Sequence, residues 1–380
     1  MGFMYSGKQV IRAGENLLDD KLQTSDPTCF DESMNILSYW RLSHEQPLEQ
    51  AFIILQQIAL SRDKRTIFAK RLKRYASIVA KLRRYNSMKL KNVQDIGACR
   101  AIVHSQKQLY QLTRELRNND HFRYSGGDFK FKDYIKEPKE DGYRGYHLMG
   151  IFGLTAKDTR TIEIQIRTRL QHDWATALEI VDLFTGQALK SNQGASDWKE
   201  FFCCVAELFS VMDGIHRFRS LAPDAKLNSF RAEVGKQVRY IELCGRVRDL
   251  GTNLSVLPRL QAFAQSLEVV DKHLNATPVI GYILLQIDTS ERKVWSTIYS
   301  DDMMKSAEKN YVDAEKNASA SPNLVVALVS STAVGGIKEA YPNYFADSKN
   351  FVSLVKIITK SALPKDRLPN LFGPLNFRSP

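Results

Sequence analysis

The chain has 380 residues, 43% of them hydrophobic and 25% charged, enough for a sizeable core and the length of two ordinary domains. No apolar run approaches the ~20 residues of a membrane span, and the amino terminus lacks the charged-then-apolar pattern of a secretory leader. The five cysteines (Cys29, Cys99, Cys203, Cys204, Cys244) form no Cys-x-x-Cys pair, which argues against disulfides and structural zinc and predicts a cytoplasmic protein with no membrane partner.

Residues 1–60 read as helical, with a strong apolar stretch from Ala51 to Leu60. The net charge of +12 is concentrated just after it: Arg62 to Lys91 carries twelve Lys and Arg against one acid, Asp63. A solvated helix face usually mixes signs, so this window predicts a surface for a polyanion, nucleotide or RNA, with a solubilising face as the alternative. After a break at Ser87 to Asn92 come a short strand around Arg100 to Val103 and a helix from about Gln106 to Arg117. Strands are expected near 121–132, 143–153 and 160–168, and from Leu170 to about Leu274 the pattern is helical.

A second unit is expected from Thr277. Val279 to Ile287 and Lys293 to Tyr299 flank a polar turn as in a β-hairpin. A polar helix (Asp302 to Ala318), a buried-type strand (Leu324 to Val329), one or two short helices and a Pro-rich arm (Leu363 to Pro380) complete it. The fold class is α/β (α+β): a mixed sheet flanked by helices, followed by a small C-terminal α/β unit, with domains at 1–274 and 275–380.

The chemistry concentrates in two segments, Asp133 to His147 and Glu163-Ile-Gln-Ile-Arg-Thr168. In the second, Ile162, Ile164 and Ile166 point to one face while Glu163, Gln165 and Arg167 point to the other. A carboxylate, an amide and a guanidinium in a row suit metal and phosphate. Asp95, at the head of a strand in Asp95-Ile-Gly-Ala-Cys-Arg100, supplies a second carboxylate, and a pair from different strands can hold Mg²⁺. Either acid alone reads equally as a turn residue or a solvated side chain. Lys139 and Arg144 bracket the Gly142 turn, where donors could converge on an anion or merely face solvent. Tyr143 and His147 are placed on one strand face, where Tyr143 either stacks a purine or packs in the core. Arg71 and Arg100 could sandwich an adenine between guanidinium planes. His172-Asp173 is set aside as a metal site because it lacks the further histidine and distant aspartate of metal phosphohydrolases.

Over residues 60–182 the chain resembles the RelA/SpoT nucleotide pyrophosphokinases. Arg71-Leu-Lys-Arg-Tyr-Ala-Ser-Ile78 with Lys81 is similar to R-x-K-S-x-x-S-I-x-x-K, and Asp95 to Arg100 to D-I-A-G-x-R. Asp133-Tyr-Ile135, Pro138-Lys139 and Gly142 to His147 resemble D-Y-I-x-x-P-K-x-x-G-Y-R-S-x-H; Glu163 to Thr168 matches E-I-Q-I-R-T. Departures are Gly145 for a serine, Arg74-Tyr75 for Ser-Pro, and Gly97-Ala98 for Ala-Gly.

The resemblance implies transfer of the β,γ-pyrophosphate of ATP to a ribose 3′-hydroxyl. Carried over by position, Asp95 and Glu163 bind Mg²⁺, and Glu163 also orients or deprotonates the hydroxyl. Arg71, Lys73, Ser77, Lys81 and Arg100 take ATP; Lys139, Tyr143, Arg144, His147, Gln165 and Arg167 serve the acceptor and phosphates. No amino-terminal hydrolase domain is expected. A synthetase followed by residues like 275–380 resembles fused toxin–antitoxin members of the CapRel type, implying the 3′-terminal adenosine of tRNA as acceptor and autoinhibition in cis. There Tyr341 and Tyr344 would occlude the adenine site, or simply form a packed helix end, and a trigger such as a phage protein would release it. The alternative is an alarmone synthetase using GDP or GTP.

Overall fold

The computed structural model describes residues 5–73, 75–85, 87–122, 128–155, 158–185, 189, 195–276, 281–288, 291, 293–318, 324–330 and 344–362. By packing they divide into two units, 5–139 with 144–172, and 140–143 with the described residues from 173 onward. This division falls inside a helix, at residue 172.

The first unit opens with α1 (Gly7–Asn16), α2 (Leu22–Ser25), α3 (Pro27–Leu42) and α4 (Glu45–Leu60), filling the stretch expected to be helical. Ser6 and Gln9 close a capping box on α1, and Asp26 caps α3 ahead of Pro27 in its first turn. The basic window is not one helix face. It contains β1 (Ile67–Leu72) and then α5 (Tyr75–Arg84), because Ile67, Phe68 and Leu72 pair with a neighbouring strand that a local pattern cannot reveal.

The strands β2 (Gly97–Val103), β3 (Lys130–Asp133), β4 (Tyr146–Thr155) and β5 (Asp158–Thr168) join β1 in a five-stranded sheet of order β1-β2-β5-β4-β3. Only β2 and β5 are parallel, so the sheet is mixed as expected. Between β2 and β3 runs α6 (Gln106–Arg117), with Ser105 as its N-cap. One sheet face, carrying Cys99, Ala101, Tyr146, Leu148, Ile162, Ile164 and Ile166, buries against Leu48, Ala51 and Leu55 of α4 and Leu109, Leu112 and Leu116 of α6. A second core joins α1 and α3 (Val10, Ala13, Ile36, Leu37, Trp40) to α5 and the turn before β2 (Ile78, Val79, Leu82, Ile96). It sets the positions of Lys81 and Asp95.

Two expected strands are shortened. The one near 121–132 is a 3₁₀ turn at Asp120–Phe122 and the four residues of β3, and the one near 143–153 begins only at Tyr146. Tyr143 is therefore not on a strand face with His147.

In the second unit the helical stretch resolves into the C-terminal part of α7 (Arg169–Thr185), then α8 (Ser196–Gly214), α9 (Pro223–Val234), α10 (Val238–Asn253) and α11 (Val256–Ala276). The expected hairpin is β6 (Gly281–Asp288) with β7 (Lys293–Ser300), and β8 (Leu324–Ser330) adds on the other side of β6 in a three-stranded antiparallel sheet. The polar helix α12 (Met304–Ala318) packs Ala307 on that sheet. Among the described residues an 18-residue helix α13 (Tyr344–Ser361) follows, with Phe351 against Phe202 and Phe209 of α8. Tyr341 and the arm 363–380 lie outside the described residues; Tyr344 begins α13 and its side chain is not described. Among the described residues no helix is long and apolar enough to cross a membrane, and the five cysteines are free thiols.

Candidate active site on the polar face of the five-stranded sheet

Alternation carries the polar residues of β5 to the face opposite the core, and strand register carries their partners to the same face. Arg71 of β1 stands opposite Ala98 of β2, Ala98 opposite Glu163, and Glu163 opposite Met149 of β4. The next row reads Ala69, Arg100, Gln165, His147 and Lys132 across all five strands. Arg71 and Arg100 are thus diagonal neighbours, and the small residues Ala69 and Ala98 complete a shallow cleft between them with Gln165 at its side.

Glu163 is buried and held on both oxygens. His147 Nδ1 lies 2.9 Å from Oε1, and Gln165 Nε2–H donates to Oε2 at 2.6 Å. Gln165 in turn accepts from Arg100 Nη2 at 3.2 Å and Arg167 Nη2 at 3.3 Å. Burial by itself would raise the Glu163 carboxyl, but His147, Gln165 and Lys81 outweigh it and hold the group well below the usual carboxylate range.

Asp95 precedes β2 at the end of the core that joins α3 and α5. Lys73 Nζ lies 2.8 Å from its Oδ2 and Lys81 Nζ 2.8 Å from its Oδ1. Burial and the Glu163 charge push the Asp95 carboxyl up, while Lys73 and Lys81 pull it down, leaving it below its ordinary value. Burial pulls the Lys73 ammonium down against the opposing attraction of Asp95.

The loop from Tyr134 to Gly145 closes through Tyr134 N–H donating to Gly145 O at 2.9 Å, and Arg144 Nη1 donates to Ile135 O at 3.1 Å. Tyr134 meets the His147 ring edge-on at 5.2 Å, and Lys139 Nζ sits 4.7 Å from the Tyr134 centroid. Ser77 is a half-buried residue of α5.

Tyr143 is not among the residues brought to this face. It is buried, at 9% exposure, in the second unit, its ring 6.5 Å from that of Trp174. Asp173 is fully buried and ion-paired with Arg219 at 2.8 Å. Among the described residues no group of three or more His, Cys, Asp and Glu side chains could hold a metal ion.

Sequence reasoning missed Arg41, on α3, whose Nε–H donates to Lys73 O at 2.8 Å. It is 32 residues from its partner, and no local pattern marks it. Lys132 was also missed, although its place two residues before Tyr134 puts it in register with His147.

Tertiary structure also changes the meaning of the basic window. Seven of its twelve cations pair with acids: Arg62 with Glu115, Arg65 with Asp63, Lys70 with Glu49, Lys73 and Lys81 with Asp95, Arg83 with Asp20, and Lys89 with Glu15. Five of these six acids come from outside the window, so tertiary pairing offsets part of its positive excess and leaves a clear positive balance.

Residues 70–180 match the profile of the region found in RelA / SpoT proteins. The chain is 33% identical over 114 residues to the GTP pyrophosphokinase YjbM of Bacillus subtilis (strain 168), covering 28% of this chain and 51% of that protein. It is 33% identical over 116 residues to the GTP pyrophosphokinase YwaC of the same organism, covering 28% and 52%. The chain therefore spans about half the length of the curated relatives it matches. A solved structure, small alarmone synthetase 1 from Bacillus subtilis bound to its product pppGpp, aligns at 24% identity and a TM-score of 0.41, over 47% of this chain and 92% of that one. Residues 70–180 of this chain carry the region found in RelA and SpoT proteins.

Proposed function

We propose that this chain is a pyrophosphokinase that moves the β,γ-pyrophosphate of ATP to the ribose 3′-hydroxyl of a guanosine nucleotide, GDP or GTP. The observation that carries this reading is a pair of partly or fully buried carboxylates, Asp95 just before β2 held by two lysines and Glu163 on the polar face of β5 held by His147 and an arginine-bound glutamine. Such transfer needs positioning and charge neutralisation more than covalent chemistry, and this face offers both. Arg71 and Arg100 with the Ala69–Ala98 floor receive the adenine; Lys73, Lys81 and Ser77 take the donor phosphates. Lys139, Arg144, His147 and Arg167 face the acceptor and transferred phosphates.

Two carboxylates, one from the turn before β2 and one from β5, fit Mg²⁺, which takes few protein oxygens and fills its remaining positions with phosphate and water. Asp95 and Glu163 would hold it, and when bound it would neutralise charge on the β- and γ-phosphates. The hydrogen bonds that keep Glu163 ionised also lower its proton affinity. They favour a Glu163 that orients the 3′-hydroxyl by accepting its hydrogen bond over one that fully removes the proton. Tyr143, packed beside Trp174, acts on the acceptor only through the Gly142 turn it borders.

The guanosine acceptor is supported by the similarity to two GTP pyrophosphokinases. A second reading, transfer to the 3′-terminal adenosine of tRNA with residues 275–380 as an autoinhibitory partner of the enzyme, draws support from the three-stranded sheet of β6, β7 and β8 beyond the matched region. Incubating the chain with γ-labelled ATP and, separately, GDP, GTP and bulk tRNA tests both. Label on the guanosine nucleotides, lost in Glu163→Gln, is expected; label confined to tRNA would replace this reading by the second.

A further inference from the structure

Both ammonium groups assigned to the donor phosphates are bound to the carboxylate assigned to the metal. Lys73 and Lys81 each reach a different oxygen of Asp95 at 2.8 Å, and the three side chains are only 14%, 27% and 19% exposed. Their main chains are fixed. Lys73 N–H donates to Ile96 O at 2.7 Å, Arg41 holds Lys73 O, and the α5 residues around Lys81 are locked in the core by Ile78, Val79 and Leu82. What can move is the pair of lysine side chains.

A divalent cation and an ammonium compete for the same oxygen. Mg²⁺ needs an oxygen at ~2.0–2.1 Å, and two ammonium groups on the same carboxylate repel it as well as block it. Glu163 differs, because its partners are an imidazole and an amide, and an amide leaves lone-pair capacity on the carboxylate without adding a positive charge. Asp95 is therefore the closed half of the site.

We propose that Lys73 and Lys81 form a latch on Asp95 that excludes a divalent cation until a nucleoside triphosphate arrives, whose phosphates draw both ammonium groups away and open the carboxylate. This inference rests on the pyrophosphokinase reading for the identity of the releasing anion. It makes metal uptake at Asp95 follow nucleotide binding, so the free chain does not hold a reactive metal site at cellular cation levels. No bond is made or broken in the switch; two ion pairs exchange a carboxylate for a phosphate.

The probe is Mn²⁺ alone, with the full chain free of nucleotide, free ion being read from its electron paramagnetic resonance signal. The wild type is expected to show only weak Mn²⁺ uptake. Lys81→Met should gain a site of one ion per chain at least about tenfold tighter, and adding Asp95→Asn should abolish the gain. Wild-type binding as tight as that of Lys81→Met, or no gain in Lys81→Met, would overturn the latch. Should Lys81→Met fail to fold, Lys81→Gln carries the same comparison. Binding of a non-hydrolysable ATP analogue in the presence of a chelator is measured in parallel. No analogue binding alongside a clear Mn²⁺ gain would overturn ATP as the releasing anion, and with it the parent reading, while leaving the lysine block intact. Analogue binding without the Mn²⁺ gain would overturn the latch alone.

Discussion

His147 Nδ1 lies 2.9 Å from Glu163 Oε1 across the antiparallel β4–β5 pair, so one ring ties the acidic strand to the strand that follows the Gly142 turn. With the carboxylate ionised, Nδ1 carries the proton and donates. Glu163→Gln keeps the shape and removes the charge. Pyrophosphate transfer should fall by at least about 10²-fold while far-ultraviolet circular dichroism stays unchanged.

The same pair sets an acid limit on stability. Because the Glu163 and Asp95 carboxyls lie below their ordinary values in the fold, their stabilisation is fully present above about pH 4.5 and is lost as pH falls through the folded values. Thermal unfolding followed from pH 6 downward should therefore drop steeply below that point in the wild type. The slope should be visibly shallower in Glu163→Gln, and equal slopes would show that the depression is absent.

His44 predicts a second pH dependence, at milder acidity. Burial lowers it from 6.5 to about 4, partly opposed by the bond to Trp40 O and assisted by nearby Arg160. Between those values the unfolded chain binds a proton that the folded chain refuses, so stability declines as pH falls. The full span corresponds to roughly 3 kcal/mol. Urea unfolding at pH 7, 5.5 and 4.5 should show this decline, and His44→Gln should remove most of it.

Arg41 is a positioning residue, since it touches the main chain of Lys73 and not the reacting groups. Arg41→Ala removes a hydrogen bond of about 1 kcal/mol, and the resulting freedom of Lys73 should raise the KM for ATP ~3–10-fold with a smaller effect on kcat. Arg41→Lys, which can still donate to the carbonyl, should recover part of the loss. An equal fall in kcat and no change in KM would assign Arg41 a purely structural role.

Gly142 has φ = +85°, in the region that favours glycine, and a Cβ there would lie 3.0 Å from Ala206 Cβ and 3.1 Å from Cys203 Cα. Gly142→Ala should cost about 1–3 kcal/mol of stability. The measurement is the free energy of urea unfolding, which Gly142→Ala should lower while an exposed substitution such as Glu137→Ala does not.

The sheet's polar face was legible because alternation is local: Ile162, Ile164 and Ile166 against Glu163, Gln165 and Arg167 needs no partner to be read. The hairpin of β6 and β7 was legible for the same reason, two alternating runs about a polar turn. The helix Gln106–Arg117 was read to the residue, Ser105 supplying its cap. Tyr143 was misread, since alternation was extended backward through a turn where the chain had not yet become a strand.

The sequence by itself determined the apolar and polar faces of β5 and the residue types able to meet phosphate and metal, because these depend on spacing within one segment. Tertiary structure alone decided that Lys73 and Lys81 converge on Asp95, that Arg41 anchors Lys73, and that Glu15, Asp20, Glu49 and Glu115 pair with cations of the basic window. Those ion pairs join residues up to 74 positions apart, and charge acts through space rather than along the chain.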